Sequence, residues 1–424
     1  MTRRSIDGIQ DVAEFGLCAG CGACAFAQPD EIAMVDDLDA GRRPVVRSID
    51  GQLLPTLKAL AVCPGVGLEQ TDPVPNEISE LRAKWGPVLE VWEGFAADPK
   101  LRRAASSGGI ASALAVHSIE KEGFHGLLHI RSRKDVPYLN ETVLSTDRDA
   151  ILEATGSRYA PASPCDRLDL LRSAPSPCVF VGKPCDVAAT SKLRQTDELL
   201  DQQLGLTVAI FCAGTPTTRG TLEMLARMGV PDPDALVSLR YRGNGWPGDA
   251  VAELRDTDGS LSTERLTYGV SWGEVLQSHR QWRCYVCADH TGQFADVAVG
   301  DPWYRSVDGD DGRSLILVRT VKGQQILAAA IASGDVVAHR VSASSVPDAQ
   351  PGLRGSRGAV GGRITVLRLL RIPVPRYQGF PMLQVWWRDL SLREKLRSTV
   401  GTLRRIRRKR LRHRHPVRPL QPPT

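Results

Sequence analysis

Through the middle of the chain, short apolar runs alternate with segments of helical or turn character. Bounded by turn residues, these runs predict strands at Leu89–Ala97, Leu127–Ile130, Cys178–Val181, Leu206–Cys212 and Ala295–Val299. The clearest helix is predicted over Ile110–Glu122. Strands and helices in alternation build a sheet with parallel strands, and ligand sites in such sheets gather at the carboxyl ends of the strands. The pattern therefore predicts an α/β fold, of mixed α+β character, with a central parallel or mixed sheet.

The composition is that of a globular protein with a sizeable core. The chain has 424 residues, of which 42% are hydrophobic and 24% charged, enough for two or three domains of roughly 150 residues each. The N-terminus lacks the apolar region of a signal peptide, and runs such as Leu206–Cys212 are too short to span a bilayer. We therefore expect a cytoplasmic protein whose ten cysteines are metal ligands or reactive thiols rather than disulfides.

A group of cysteines stands near the N-terminus at C-x2-C-x2-C spacing, namely Cys18, Cys21 and Cys24, with Cys63 further along the chain. Three thiolates at this spacing can hold one face of a cubane while a remote cysteine takes the fourth corner. A bacterial ferredoxin run would continue to a further Cys-Pro, but this chain has Gln28-Pro29 there, so only half of a ferredoxin pattern is present. Structural zinc is the alternative. Zinc sites usually pair cysteines in separate knuckles, so the spacing favours a [4Fe–4S] cluster.

A second set of four cysteines is predicted where two strands end. Cys185 and Cys212 each follow a strand of the predicted parallel sheet, so both should emerge on one edge. With the C-x2-C pair Cys284 and Cys287 they suffice for another [4Fe–4S] cluster. Taken alone, that pair is also compatible with zinc, with a redox-active dithiol or with no function.

Four further residues near these motifs receive no functional role. Cys178 enters its strand at the end opposite to Cys185 and is predicted to be a buried core thiol, whereas Cys165 has no partner at ligand spacing. His279 and His290 lie near the second cysteine pair, where imidazole serves structural and proton-donor roles equally well. No general acid or base is assigned.

The segment Ser106-Ser107-Gly108-Gly109 precedes the predicted helix. Serine caps helix starts and glycine allows close backbone approach, so free N–H groups and the helix dipole would face an anion such as a dinucleotide pyrophosphate. The segment matches neither G-x-G-x-x-G nor a P-loop. An ordinary capped helix start is an equal alternative.

The net charge of +6 conceals a strongly basic C-terminus. Residues 393–418 hold twelve Lys and Arg against the single Glu394, a local excess of +11, so the remaining residues sum to −5. Apolar residues recur at helical spacing among these arginines, just after two tryptophans, at Leu392, Leu396, Val400, Leu403 and Ile406. This predicts a basic amphipathic helix. It could lie on an anionic membrane, contact an acidic partner or nucleic acid, or remain a solvated disordered tail.

Together these motifs resemble the family of coenzyme F-420 hydrogenase/dehydrogenase beta subunits, which also includes 7-hydroxymethyl chlorophyll a reductase. The resemblance covers roughly residues 10–345. It rests on both cysteine sets and on the segments Ser106–Gly109, Gly156–Tyr159, Gly182–Cys185, Phe211-Cys212, Arg242–Gly248, Asp296 and Gly300-Asp301. It implies an FAD-containing iron–sulfur oxidoreductase in which the flavin exchanges hydride with a deazaflavin or another organic partner and passes single electrons to clusters.

The resemblance implies two [4Fe–4S] clusters and FAD as cofactors. Their cysteine ligands would be Cys18, Cys21, Cys24, Cys63, Cys185, Cys212, Cys284 and Cys287. The FAD contacts would be Ser106, Ser107, Gly108, Gly109, Ser157, Arg158, Lys183, Asn244 and Gly245. The basic tail is not required by the family chemistry, and the organic substrate does not follow from the resemblance.

On this interpretation the chain has four sections. They are a half-ferredoxin-like cluster segment (1–85), two parts of a flavin and iron–sulfur domain (86–175 and 176–345), and a linker with the basic tail (346–424). The main hypothesis couples hydride exchange with coenzyme F-420, or another organic substrate, to one-electron transfer. The alternatives are a non-catalytic electron-transfer subunit of a larger redox complex and a zinc-stabilised binding module.

A ferredoxin-like protein or an F-420-type deazaflavin is the expected redox partner, and nucleic acid is not expected. The expected location is the cytoplasm. Contact of the tail with the inner face of the membrane, or with an acidic partner, stays open.

Overall fold

The computed structural model describes residues 5–70, 73–304 and 309–420. In chain order, the strands of these residues are β1 (Ile32–Asp37), β2 (Gly41–Val46), β3 (Ser48–Ile49), β4 (Gln52–Leu53), β5 (Gly67–Glu69), β6 (Glu90–Ala96), β7 (Leu127–Ser132), β8 (Asn140–Ser145), β9 (Cys178–Gly182), β10 (Leu204–Ile210), β11 (Leu236–Arg240), β12 (Ala250–Arg255), β13 (Leu261–Leu266), β14 (Val297–Gly300), β15 (Ser314–Val318), β16 (Val336–Arg340) and β17 (Arg376–Gln378).

The α-helices of the same residues are α1 (Ile9–Glu14), α2 (Ala23–Ala27), α3 (Leu57–Val62), α4 (Ser79–Trp85), α5 (Pro99–Ala104), α6 (Ile110–Lys121), α7 (Arg148–Ala154), α8 (Asp169–Arg172), α9 (Pro184–Leu193), α10 (Glu198–Gln203), α11 (Thr218–Met228), α12 (Trp282–Tyr285), α13 (Val321–Ala332), α14 (Ser345–Ala349), α15 (Pro351–Gly358), α16 (Val360–Leu369), α17 (Met382–Asp389) and α18 (Leu392–Arg408). Within the described ranges, none of these helices is long and apolar enough to cross a membrane.

Eight strands form the central mixed sheet, in the order β16-β6-β15-β14-β10-β9-β7-β8. The four strands β7, β9, β10 and β14 run parallel to one another, whereas β15 runs antiparallel to both β14 and β6. β6 therefore points the same way as β14. The carboxyl ends of β6, β9, β10 and β14 consequently lie on one edge of the sheet, and the predicted mixed α/β fold is confirmed.

Both faces of this sheet are buried. All five residues of β15 are inaccessible to solvent; Leu315 and Leu317 pack into the core shared with α9, and Ile316 and Val318 into the core shared with α6 and α13. A strand covered on both sides has a continuous apolar sequence rather than an alternating one. Each such side chain stabilises the fold by about 1.5–3 kcal/mol. This burial explains why short apolar runs in the sequence predicted the strands correctly, with ends that differ by one or two residues.

Smaller units flank the central sheet. The hairpin β1-β2 packs with α1 and α3 around a core that contains Cys18, Cys24 and Cys63. The antiparallel sheet β11-β12-β13 packs on α11. The pair β5-β17 joins residues 67–69 to residues 376–378. The pair β5-β17 thus connects the C-terminal part of the chain to the segment that follows Cys63.

The basic C-terminal segment is folded as far as residue 420. The predicted helix is present as α18, and its Ile406 packs with Leu411 against the α12 residues Trp282 and Tyr285. Beyond α18 the chain crosses the N-terminal segment, where the backbone N–H of His415 donates to the carbonyl of Glu14 at 2.9 Å. The alternative of a disordered tail is therefore wrong, because the segment has buried side chains and long-range hydrogen bonds.

Candidate functional site

A cavity of about 300 Å³ lies at the carboxyl edge of the sheet. It is bordered by Ser107 in the turn between α5 and α6, by Lys183 and Cys212 in the loops after β9 and β10, and by Asp301 at the end of β14. The loops after β9 and β10 and the end of β14 meet because these three strands are parallel and adjacent. The volume lies at the lower end of the range of about 300–1,000 Å³ that is usual for ligand pockets.

The N-terminus of α6 faces this cavity. Gly109 precedes the helix with a left-handed φ of +77°, and Ile110, Ala111 and Ser112 of the first turn border the cavity. No side chain of the described residues caps this helix, so its first-turn N–H groups and the positive end of its dipole are available to a ligand. The geometry is that of an anion-binding helix start.

The serines before α6 hold neighbouring loops. The hydroxyl of Ser106 accepts the backbone N–H of Ser157 at 2.7 Å, and the hydroxyl of Ser107 donates to the carbonyl of Arg313 at 3.0 Å. Gly108 has φ +65°, and a Cβ there would lie 2.7 Å from Cα of Arg313. Gly108 is therefore required by packing against that backbone. A side chain at Gly108 would disturb the fold whether or not a ligand is bound.

One buried ion pair organises the site. Arg242 donates from both terminal nitrogens to the two carboxylate oxygens of Asp301, each at 2.9 Å. Its Nε and Nη2 also donate to the carbonyls of Pro247 and Ser106, both at 2.7 Å. Burial alone would lower the pKa of Arg242, but the Asp301 carboxylate raises it well above its ordinary value. Trp246 adds a hydrogen bond to Asp301 at 2.7 Å. Sequence analysis gave Arg242 no role, since a buried arginine and an exposed one look alike in sequence.

Three other predicted flavin contacts border the cavity: Ser157, Arg158 and Lys183. The guanidinium of Arg158 is engaged with the protein, donating to Asn140 Oδ1 and to the carbonyl of Pro137, both at 2.8 Å. Lys183 precedes α9 and its Nζ lies 2.7 Å from a carboxylate oxygen of Asp186. Burial would lower the pKa of Lys183, but Asp186 raises it, so Lys183 stays charged beside the cavity.

Asn244 and Gly245 lie elsewhere. They line a neighbouring open groove together with residues 246–249 and Tyr268, rather than the cavity beside α6. Asn244 is exposed and adopts φ +59°, and the N–H of Gly245 donates to the carbonyl of Arg103 at 3.1 Å. Tyr268 borders both spaces, so the two sets of predicted contacts meet at one aromatic ring.

Aromatic side chains that sequence analysis did not assign form another wall of the cavity. Tyr268 stacks on Trp303 with ring centroids 5.4 Å apart, and Trp272 lies beside them. His129 also borders the cavity, and its Nε2 is 2.8 Å from the hydroxyl of Ser145. Burial lowers the pKa of His129 to about 4, so it is neutral at neutral pH. The cavity is therefore lined both by flat aromatic faces and by the first turn of α6.

The four cysteines of the N-terminal set are brought together. All are free and buried. Burial raises the pKa of Cys24 well above its ordinary value, and the other three thiols of the set raise it further. Burial, reinforced by Cys21 and Cys18, raises the pKa of Cys63 to about 12. The N–H of Gly20 points at Cys18 Sγ, 3.3 Å away, an arrangement that stabilises a thiolate. The set fits a metal centre of high positive charge, such as a [4Fe–4S] cluster, because that charge would favour four adjacent thiolates.

The second set is also assembled. Burial, reinforced by Cys284, raises the pKa of Cys212 to about 12, and Cys185 lies within electrostatic range of Cys212. The N–H of Thr215 points at Cys284 Sγ at 3.3 Å. Cys185 also lies within electrostatic range of Cys21, so the two sets are neighbours. In the parts of the chain with described coordinates, no three His, Cys, Asp or Glu side chains converge closely enough for a single metal ion.

Two buried arginines accompany the thiols. Arg283 donates to the carbonyl of Pro64, next to Cys63, at 3.0 Å, while its Nε and Nη1 are buried without a hydrogen-bond partner among the described residues. Burial would lower the pKa of Arg283, but Tyr377 and the thiols of the second set raise it. Arg43 opposes the effect of burial on Cys18 by lowering its pKa. These guanidinium groups supply positive charge where negative thiolate charge would gather.

The unassigned residues take distinct places. Cys165 lies against Cys21, and the hydrogen bond between the thiols lowers the pKa of Cys21. Cys178 is buried in the core, as predicted. His279 is 2.8 Å from a carboxylate oxygen of Glu223. His290 donates from Nδ1 to the carbonyl of Cys212 at 2.9 Å, and burial lowers its pKa to about 4.

Two family models match the chain, and both describe the beta subunit of coenzyme F-420 hydrogenase/dehydrogenase. The model of its N-terminal part matches residues 91–168, and the model of its C-terminal part matches residues 177–344. Together they cover more than half of the chain and include the segment Ser106–Gly109 before α6, the second thiol set and Asp301. The N-terminal thiol set and the basic tail lie outside both matches.

Named relatives agree with these models. The coenzyme F-420 hydrogenase subunit beta of Methanococcus voltae is 25% identical over 61% of this chain and 85% of its own length. The 7-hydroxymethyl chlorophyll a reductase of Oryza sativa subsp. japonica is 23% identical over 52% of this chain and 45% of its own length. A chain of the F-420-reducing [NiFe] hydrogenase complex from Methanosarcina barkeri superposes with a TM-score of 0.51 at 19% identity, covering 70% of this chain and 95% of its own. This last likeness concerns the fold.

We predict that Asp301→Asn destabilises the whole protein. The substitution leaves the Arg242 guanidinium buried without its counter-charge, which should lower the free energy of unfolding by about 3–5 kcal/mol. Urea unfolding followed by tryptophan fluorescence measures the change. Asp234→Asn, at an exposed carboxylate, is the control and should change the same quantity by less than about 0.5 kcal/mol. A loss below about 1 kcal/mol at Asp301 would show that the pair does not organise the site.

Proposed function

This chain belongs to the family of coenzyme F-420 hydrogenase/dehydrogenase beta subunits, and from that premise we propose that it is an FAD-dependent iron–sulfur oxidoreductase. Its substrate would be coenzyme F-420, or another organic molecule that exchanges hydride, and its electrons would leave singly through two [4Fe–4S] clusters. Relatives named as a coenzyme F-420 hydrogenase subunit and a chlorophyll a reductase support a redox enzyme.

The observation that carries the proposal is the position of Cys212. This residue belongs to the second thiol set and also borders the cavity that α6 faces. Cys185 of the same set lies within electrostatic range of Cys21 in the N-terminal set. A cavity for an organic cofactor, one thiol set and then the other thus follow one another without an intervening domain.

The residues around the cavity fit FAD. The first turn of α6 would receive the pyrophosphate, because its N–H groups are free and its dipole favours anions. Lys183 would add positive charge, and Tyr268 and Trp303 would contact the flat ring. When bound, FAD supplies the exchange between two-electron and one-electron chemistry. Neutral His129 and the aromatic wall would keep the ring away from water. Asn244 and Gly245 would approach the flavin from the adjoining groove, which shares Tyr268 with the cavity.

A second candidate is an electron-transfer subunit that acts only within a complex. It is favoured by relatives whose names make them subunits, including one that belongs to the F(420)H(2) dehydrogenase of Methanosarcina mazei and is 22% identical over 75% of this chain. Mixing the anaerobic protein with reduced coenzyme F-420 separates the candidates. Bleaching of the flavin band by the isolated chain supports the enzyme, whereas bleaching only after a partner is added supports the electron-transfer role.

We also propose a cytoplasmic location. All ten cysteines are free thiols, eight of which are grouped in the two sets, as expected in a reducing compartment. A ferredoxin-like protein or a deazaflavin would be the redox partner.

We predict that protein purified without oxygen contains about eight irons and one FAD per chain, because two sets of four thiols each fit one cubane. Cys21→Ser should remove the N-terminal cluster and Cys284→Ser the second, each leaving about four irons. Iron analysis and the optical spectrum measure both. Cys178→Ala, at a buried thiol outside the sets, should keep full iron. Zinc in place of iron, or unchanged iron in the double variant Cys21→Ser with Cys284→Ser, would contradict the assignment.

A separate prediction concerns the flavin phosphates. Ser112→Glu places a carboxylate in the first turn of α6. This carboxylate interacts favourably with the helix dipole, so the helix should be retained, but it repels an anion bound at the helix start. The affinity for FAD should fall by at least about tenfold, or about 1.4 kcal/mol. Flavin retained after gel filtration, at unchanged iron content, is the measurement.

The matched control is Ser112→Gln, which has the size of glutamate without its charge and should retain FAD. Equal FAD affinity in the two variants would show that the phosphates bind elsewhere. Loss of flavin in both would point to crowding of the cavity rather than to charge.

A further inference from the structure

The helix α18 has an inverted distribution of polar and apolar residues. The side chains it buries against the protein are mainly small and polar, Ser398 and Thr402, followed by Ile406 near its end. Ser398 receives a hydrogen bond from Trp386 at 3.0 Å, and Thr402 donates to the carbonyl of Ser398. A surface helix normally directs its apolar stripe to the core. In α18 the hydroxyl groups are buried instead, and all three leucines are exposed.

The exposed apolar residues of α18 form one stripe, consisting of Leu392, Leu396, Val400 and Leu403. Leu392 is 78% exposed and Leu396 65%, and the other two are more than two-fifths exposed. Because an α-helix advances about 100° per residue, all four fall within about 80° of one another around the axis. Trp387 of α17, 68% exposed, lies beside the same helix, with its ring 4.9 Å from Nζ of Lys395.

Arginines run directly alongside this stripe. Arg393, Arg397, Arg404 and Arg408 occupy the adjoining sector of the helix and are exposed. None of the four forms an ion pair with an acidic residue in the described parts of the chain. The last three surround Val400 and Gly401 in a shallow open depression. The helix thus presents apolar and cationic surface side by side, both without a partner.

The helix is formed before any partner arrives. Ser391 and Glu394 make reciprocal hydrogen bonds at its N-terminus, a capping box that also occupies the only carboxylate of residues 393–418. Binding would therefore not incur the ordering cost of a disordered segment. The local excess of +11 on a chain otherwise at −5 would turn this face towards a negative surface.

We propose that the exposed face of α18 is a docking surface for an anionic lipid bilayer. The leucine stripe would enter the boundary between headgroups and acyl chains, the arginines would contact lipid phosphates, and Trp387 would sit at headgroup depth. Nucleic acid would account for the arginines but leave the leucines in water. An acidic protein would need a complementary apolar ridge, whereas a lipid surface accepts both features without a fixed shape. The contact would hold the protein at the membrane without spanning it.

The test uses the full-length holoprotein and sedimentation with vesicles. Binding is expected to phosphatidylcholine vesicles that contain phosphatidylglycerol and not to pure phosphatidylcholine. The double variants Leu396→Ser with Leu403→Ser, and Arg397→Gln with Arg404→Gln, should each lower the partition coefficient about tenfold or more. Unchanged flavin and cluster spectra verify the fold, since all four side chains point to solvent.

Matched controls lie on the antiparallel sheet β11-β12-β13, which is distant from α18 in the sequence. Leu261→Ser removes an equally exposed leucine, and Arg255→Gln with Arg265→Gln removes two exposed arginines. Neither should affect vesicle binding. The proposal is overturned if the full chain ignores anionic vesicles, if the leucine variant binds as well as the original, or if duplex DNA displaces the vesicles. In the leucine case the contact would be electrostatic only, and in the DNA case the surface would bind nucleic acid.

Discussion

The buried guanidinium of Arg242 forms hydrogen bonds to three segments at once. It donates to the Asp301 carboxylate, to the carbonyl of Ser106 before α6 and to the carbonyl of Pro247. These three segments are far apart in sequence and form the rim of the cavity. Breaking a buried ion pair is strongly destabilising, so the pair favours the state in which all three segments are assembled together. The cavity, the open N-terminus of α6 and the aromatic wall of Tyr268 and Trp303 all depend on that joint assembly.

The same electrostatic argument governs the thiols. Burial raises the pKa of Cys24, Cys63 and Cys212, whereas Arg43 and Arg283 oppose the same effect of burial at other thiols of the two sets. Two nitrogens of Arg283 have no hydrogen-bond partner among the described residues, which is costly because a buried donor without an acceptor loses its hydration. The two arginines would therefore stabilise negative charge at the cysteine sets, and the cysteines carry that charge only when they are deprotonated to thiolates.

Sequence reasoning predicted the strands, the first helix of the site and the grouping of the thiols, because each rests on local pattern or on strand ends. It did not find Arg242, Arg283 or the aromatic wall, whose roles come from contacts between distant segments. It named Asn244 and Gly245 as flavin contacts but did not show that their loop lines an adjoining groove, which shares Tyr268 with the cavity. For Gly108 it did not find the close packing against the backbone of Arg313.

The return of residues 411–420 to the N-terminal segment has a consequence for biosynthesis. Arg414 pairs with Asp11 and Glu14, and the N–H of Leu420 bonds to the carbonyl of Asp36, so residues translated late complete a structure that leaves the ribosome early. Domains otherwise tend to fold in the order of their synthesis. Here the segment around Cys18 stays uncovered on one side until residues 411–420 have emerged. A chain that ended before residue 411 would lack these contacts, and the quality-control machinery of the cell would encounter an exposed N-terminal segment.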